Sequence, residues 1–178
     1  SPLSKPGQVK GSVVSKRTGK PLVGVSVTVN DKNLKTDESG SFVYSVEKVF
    51  FFTPLDVNVK SEFFGYQSVN TKKIYELGLA DKPEFTLDAI ALDSAKVEIQ
   101  FKGKVIDHFG GANTEGVEVS IDNVANKTNA EGAYHIKGLK IDFELETKYK
   151  VKLTKPGYIT LNKDVLVRYE KDGLTTLD

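Results

Sequence analysis

The chain has 178 residues, 25 Lys plus Arg against 24 Asp plus Glu, with 39 % apolar and 28 % charged residues, which excludes a disordered chain and leaves one medium domain or two small ones. Cys, Met and Trp are absent, so disulfides, thiolate metal sites and thiol nucleophiles are excluded. Residues 1–93 carry 12 basic and 11 acidic side chains and residues 94–178 carry 13 of each, so no nucleic-acid partner is expected.

No apolar run approaches the length of a membrane span. The sequence starts at Ser1 rather than Met, with no apolar signal core in its first thirty residues; the expectation is a mature or excised fragment.

Along the chain, apolar residues recur at every second position. Val25, Val27 and Val29 alternate with Ser26 and Thr28, the pattern of a strand with one buried face. Asp37-Glu38-Ser39-Gly40 reads as a hairpin connection. Val57 and Val59 then alternate with Asp56, Asn58 and Lys60. From Lys102 the same text returns: Gly11 is matched by Gly103, Gly24 by Gly116, Lys35-Thr36 by Lys127-Thr128, Gly40 by Gly132 and Gly65-Tyr66 by Gly157-Tyr158, always 92 residues on. The second copy repeats the strands as Val117, Val119 and Ile121, then Tyr149, Val151 and Leu153, with Asn129-Ala130-Glu131-Gly132 as its hairpin. No stretch carries a helical period of ten residues or more. A constant offset makes the chain a duplication, with domains expected at 1–93 and 94–178 and a seam near Leu92-Asp93-Ser94. Each domain is expected to be an all-β, antiparallel Greek-key sandwich of about seven strands.

Val9-Lys10-Gly11-Ser12-Val13-Val14, Gly19-Lys20-Pro21-Leu22-Val23-Gly24-Val25, Lys35-Thr36-Asp37-Glu38-Ser39-Gly40-Ser41-Phe42 and Phe64-Gly65-Tyr66, with their second-copy counterparts, resemble carboxypeptidase regulatory-like domains. Copy two lacks the Lys-Pro-Leu turn and has Ala112-Asn113-Thr114 there. The resemblance implies a transthyretin-like, or prealbumin-like, Greek-key sandwich. It also implies an accessory module of a secreted or cell-surface protein, often bacterial, serving as a spacer, binding surface or stabiliser.

The candidates for chemistry are sparse. His108 sits in a turn and His135 on a strand beside Tyr134; copy one has Lys16 and Val43 at those places, so both read as solvated or structural. No catalytic group, cofactor site or metal site is assigned. Asp122-Asn123, Asn126 and Glu131 form the best oxygen cluster for calcium, but their spacing fits no calcium loop and ordinary turn chemistry is the preferred reading. Asn126-Lys127-Thr128 matches a glycosylation sequon. Lys148, Lys150, Lys152 and Lys155 read as a solvated strand face or as protection of an edge strand.

Val49-Phe50-Phe51-Phe52 breaks the alternation. The 92-residue offset sets Phe51 on Phe143, and Phe50 and Phe52 on Asp142 and Glu144. Phe50 and Phe52 are therefore expected on the face that copy two gives to carboxylates, as a contact surface; a local bulge tucking both rings inward is the alternative.

The leading functional expectation is a module without enzymatic activity in a larger extracellular or envelope protein, a spacer or protein-interaction unit whose partner is the rest of that protein or another one. A carbohydrate-binding module is the alternative, with a glycan partner on Phe50, Phe52 and Tyr75. An intramolecular isopeptide bond with Lys10 or Lys102 as donor ranks below both, since neither last strand offers a clear acceptor Asn.

Overall fold

The computed structural model describes residues 3–78, 81–107 and 114–177; His108 and the Ala112-Asn113 turn lie outside them. The chain divides into two compact units, Ser1–Ser94 and Ala95–Asp178.

The first unit holds β1 (Ser4–Ser15), β2 (Ser26–Val29), β3 (Lys32–Lys35), β4 (Ser41–Phe50), β5 (Pro54–Glu62), β6 (Val69–Glu76), β7 (Glu84–Thr86) and β8 (Ile90–Leu92). One sheet runs β4-β1-β7, with β8 further along β1; the other runs β3-β2-β5-β6. The second unit holds β9 (Lys96–Lys104), β10 (Glu118–Ile121), β11 (Val124–Lys127), β12 (Ala133–Asp142), β13 (Thr147–Thr154), β14 (Leu161–Val167), a 3-10 turn at Lys171–Gly173 and β15 (Leu174–Leu177). Its sheets run β12-β9-β15 and β11-β10-β13-β14.

The alternation read from the sequence is what fills the cores. Val25, Val27, Val29, Val57 and Val59 are buried with Val9, Val13 and Phe42 in the first unit. Val119, Ile121, Tyr149 and Val151 are buried with Ile99, Phe101, Tyr134 and Ile136 in the second. Gly11 stands opposite Phe42, and Gly103 opposite Tyr134. Each ring lies across the glycine where a Cβ would stand, so the repeated glycine makes room for a cross-strand aromatic.

Two expectations are corrected. The sandwiches are not purely antiparallel: β7 and β8 pair parallel to β1, and β15 parallel to β9, because the chain crosses from the other sheet and enters beside the first strand in its own direction. The first unit has eight strands and the second seven, in line with about seven in each. Finally, Asp37–Gly40 and Asn129–Gly132 are not hairpins. Their flanking strands, β3 and β4 or β11 and β12, lie in different sheets, and the real two-residue hairpin loops are Asn30-Asp31 and Asp122-Asn123.

These crossings are fixed identically in both copies. The buried Thr36 hydroxyl donates to Leu22 O (2.6 Å) and accepts from Val25 N (2.9 Å), while Gly24 N donates to Thr36 O and Thr36 N to Val25 O. The Thr128 hydroxyl donates to Thr114 O and accepts from Val117 N, with Gly116 N on Thr128 O. Downstream, Asp37 Oδ1 accepts from Ser39 N and Ser41 N, and Asn129 Oδ1 from Glu131 N and Ala133 N. Gly40 and Gly132 close the turns at φ 73° and 79°, and their carbonyls accept from Val13 N on β1 and from Val105 N just past β9.

Thr36→Val keeps the shape but strands the buried N–H of Val25 and the half-buried C=O of Leu22. It is expected to cost about 1–3 kcal/mol, with Thr36→Ser milder; urea unfolding monitored on the first unit measures both, and Thr128→Val should act alike on the second.

Candidate functional site

The aromatic run that ends β4 departs from its counterpart in the second copy. β4 gains one residue against β1 between the pairs Gly7/Val46 and Lys5/Val49, a bulge that swaps the faces of the residues beyond it. Val49 is therefore buried, Phe50 and Phe51 half-buried, and Phe52 61 % exposed. Phe52 has left the strand: φ is 57° and its N–H bonds to Leu77 O at 2.8 Å. A left-handed conformation is uncommon for a bulky residue and costs of order 1–3 kcal/mol.

The expectation that Phe50 and Phe52 share a strand face is thus corrected, and the inward-tucked alternative holds for neither ring in full. The copy-two carboxylates explain the difference. Asp142 Oδ1 accepts from Glu144 N at 2.9 Å, so it shapes a turn instead of marking a wet face. Phe143 keeps its place, with its N–H on Ala95 O as Phe51 N is on Leu3 O, and its ring lies 5.0 Å from that of Tyr169.

Tyr75 does not join Phe52. Its ring stacks on Phe85 at 4.5 Å and packs on the core. Its hydroxyl is enclosed with no hydrogen-bond partner among the described residues, and burial, with Asp88 second, raises its pKa. The three rings named for a glycan platform are one exposed, one half-buried and one packed inward. Lys10 and Lys102, the named isopeptide donors, lie outside the cores as exposed residues.

In the oxygen cluster of copy two, the Asp122 and Asn126 side chains are bonded to backbone groups. Asp122 Oδ1 accepts from Lys150 N, as Asn30 Oδ1 does from Asn58 N. Asn126 Nδ2 donates to His135 O and its Oδ1 accepts from Lys127 N, and the sequon hydroxyl of Thr128 is buried in the crossing described above. Among the described residues no three His, Cys, Asp or Glu gather as metal ligands. His135 Nε2 lies 2.6 Å from Gln100 Oε1, and desolvation, then Lys137 and Lys102, lower its pKa below 6.5. Lys148, Lys150 and Lys152 are on β13, which lies between β10 and β14 and is no edge; Lys148 pairs with Asp164 at 3.2 Å, and Lys155, just past the strand, donates from Nζ to Glu115 O.

Other exposed apolar side chains escaped the sequence reading: Phe64, Ile74, Ile106, Tyr158, Ile159 and Leu166. Ile74 and Leu166 are 92 residues apart, exposed at 65 % and 66 % on the edge strands β6 and β14. Comparing the two copies, rather than periodicity within one, was the signal that could have found them.

No family model matches the chain, and no curated protein matches it. Among solved structures it is similar to the Bacillus anthracis TIE protein (TM-score 0.43, 19 % identity, covering 97 % of this chain and 33 % of that one). It is also similar to a streptococcal ancillary pilin (TM-score 0.42, 13 % identity, covering 97 % and 61 %). A third is the major pilin subunit of Bacillus cereus (TM-score 0.41, 12 % identity, covering 92 % and 68 %). The chain thus spans less than two thirds of the length of the first two.

Three outcomes are expected. Phe52→Gly removes backbone strain and should leave stability level or raise it by up to about 1 kcal/mol, whereas Phe50→Ser should destabilise; thermal unfolding separates them. Tyr75→Phe deletes an enclosed, unpaired hydroxyl and should be neutral or stabilising by about 1 kcal/mol. Since the folded state lowers the His135 pKa, the unfolded chain takes up the proton first: stability is fully present above about 6.5 and falls below it. His135→Gln should flatten that acid limb in a pH series of urea melts.

Proposed function

We propose that the chain is a non-catalytic tandem β-sandwich module of a larger extracellular or cell-surface protein, acting as a spacer that also makes protein contacts. The observation that carries this reading is how the duplicated polar residues are used. Thr36/Thr128, Asp37/Asn129 and Asn30/Asp122 each accept a backbone N–H at equivalent places in both units. What the copies share is therefore accounted for by folding, as a repeated structural unit requires. What differs between them includes Phe52, an exposed aromatic held in a strained turn, which suits a contact made with the parent protein or a neighbour. The domain division at the seam after residue 93, the extracellular setting and the contact role of Phe52 belong to this proposal.

A photo-crosslinking phenylalanine analogue placed at position 52 of the full-length parent protein tests it, with position 48 as the control. The expected result is a discrete protein adduct from 52 and none from 48. Absence of an adduct, or turnover of ester or glycoside substrates by the purified chain, would overturn the reading.

A further inference from the structure

The two copies differ most at the far end of their first strand. In the first unit β1 continues to Ser15 because β8 lies parallel beside it, pairing Val13 with Ile90, Val14 with Ala91 and Ser15 with Leu92. Leu92 O accepts from Lys16 N, Asp93 O from Gln67 N, and Ser94 bridges Tyr66. Ile90 and Leu92 are 4 % and 0 % exposed, and Val13 is fully buried.

The second unit keeps one side of this arrangement: Val105 N bonds to Gly132 O as Val13 N bonds to Gly40 O. On the other side no strand pairs with Val105 or Ile106 among the described residues. There β9 stops at Lys104, Val105 is only half-buried and Ile106 is 71 % exposed. Tyr158 and Ile159, which stand where Tyr66 and Gln67 meet the end of β8, are 55 % and 90 % exposed. The exposed apolar residues of this end are thus the counterparts of those that β8 covers or borders.

Register says what would cover them. Glu84 stands opposite Gln8 and Leu174 opposite Gln100, a spacing of 90, which also sets Thr86-Leu87-Asp88 on the identical Thr176-Leu177-Asp178. Among the described residues of the second unit no strand holds the register that Ile90 and Leu92 hold in the first. We infer that Val105, Ile106, Tyr158 and Ile159 form an acceptor groove for an extended strand of the Ile90-Ala91-Leu92 kind, added parallel to β9 in the register that β8 holds on β1, with apolar side chains at alternate positions. An extended chain gains main-chain hydrogen bonds along such an edge, and alternate side chains fill the apolar floor. The inference is independent of the contact role of Phe52.

The test extends the full chain by Ala-Ile-Ala-Leu-Asp-Ser, a copy of residues 89–94, and compares it with the unextended chain and with an extension carrying Ser in place of Ile and Leu. Amide hydrogen exchange at Ile106 and Ile159 should slow by about tenfold or more with the apolar extension alone, and the melting midpoint of the second unit should rise. No protection, or equal protection by the Ser-bearing extension, would overturn the inference. So would a concentration-dependent dimer of the unextended chain that protects the same amides, since a second copy would then be the occupant.

Discussion

A sandwich of two small sheets depends on the place where the chain leaves one sheet for the other, because there the backbone must turn inside the protein without water to satisfy it. Thr36 and Thr128 meet that constraint. One hydroxyl both donates to and accepts from backbone groups of the segment entering β2 or β10, so the crossing is tied to the strand it must pack against. Without it, a buried N–H and a half-buried C=O would each lose this partner, a larger penalty than the net gain of an ordinary hydrogen bond. The adjacent Asp37 or Asn129 then folds the chain back so that the Gly40 or Gly132 carbonyl meets the first strand. Sheet order, core and strand ends follow from this joint.

How much of this was legible in the sequence can be judged residue by residue. Val25, Val27 and Val29 announced a half-buried strand because side-chain direction has a period of two whatever the sheet order. Lys35-Thr36 and Lys127-Thr128 were visible as a repeated pair, yet nothing local says that the threonine is buried, since a Thr at a strand end is ordinarily solvated. Asp37–Gly40 misled for a related reason: an Asx turn closed by glycine has the same local chemistry whether its flanking strands are neighbours or lie in opposite sheets. The parallel placement of β7, β8 and β15 is a long-range outcome that no short window encodes.

The aromatic run shows how a duplicated fold absorbs divergence. Copy two turns at Asp142 by giving its carboxylate to Glu144 N. Copy one has Phe50 there, cannot make that bond, and turns instead through a left-handed Phe52 anchored on Leu77 O. Both routes preserve the bond from the next residue, Phe51 or Phe143, to Leu3 or Ala95. The exposed ring is thus tied to a backbone solution, and its burial class could not be inferred by strand parity once a bulge had intervened.

Comparison of the copies also separates two meanings of an exposed apolar residue. Ile74 and Leu166 are exposed in both units at equivalent places, so their exposure belongs to the architecture of an outer edge strand. On those strands Lys72 and Lys73, or Lys163 and Asp164, are exposed charges, which discourage pairing with further chains. Ile106 and Ile159 have no such symmetry: their counterparts are a half-buried Val14 and the polar Gln67. Ile159, an apolar residue that replaces a polar one at the same point of the same fold, carries a desolvation preference of its own. That asymmetry, more than exposure itself, distinguishes a surface awaiting cover from a surface that the fold leaves wet.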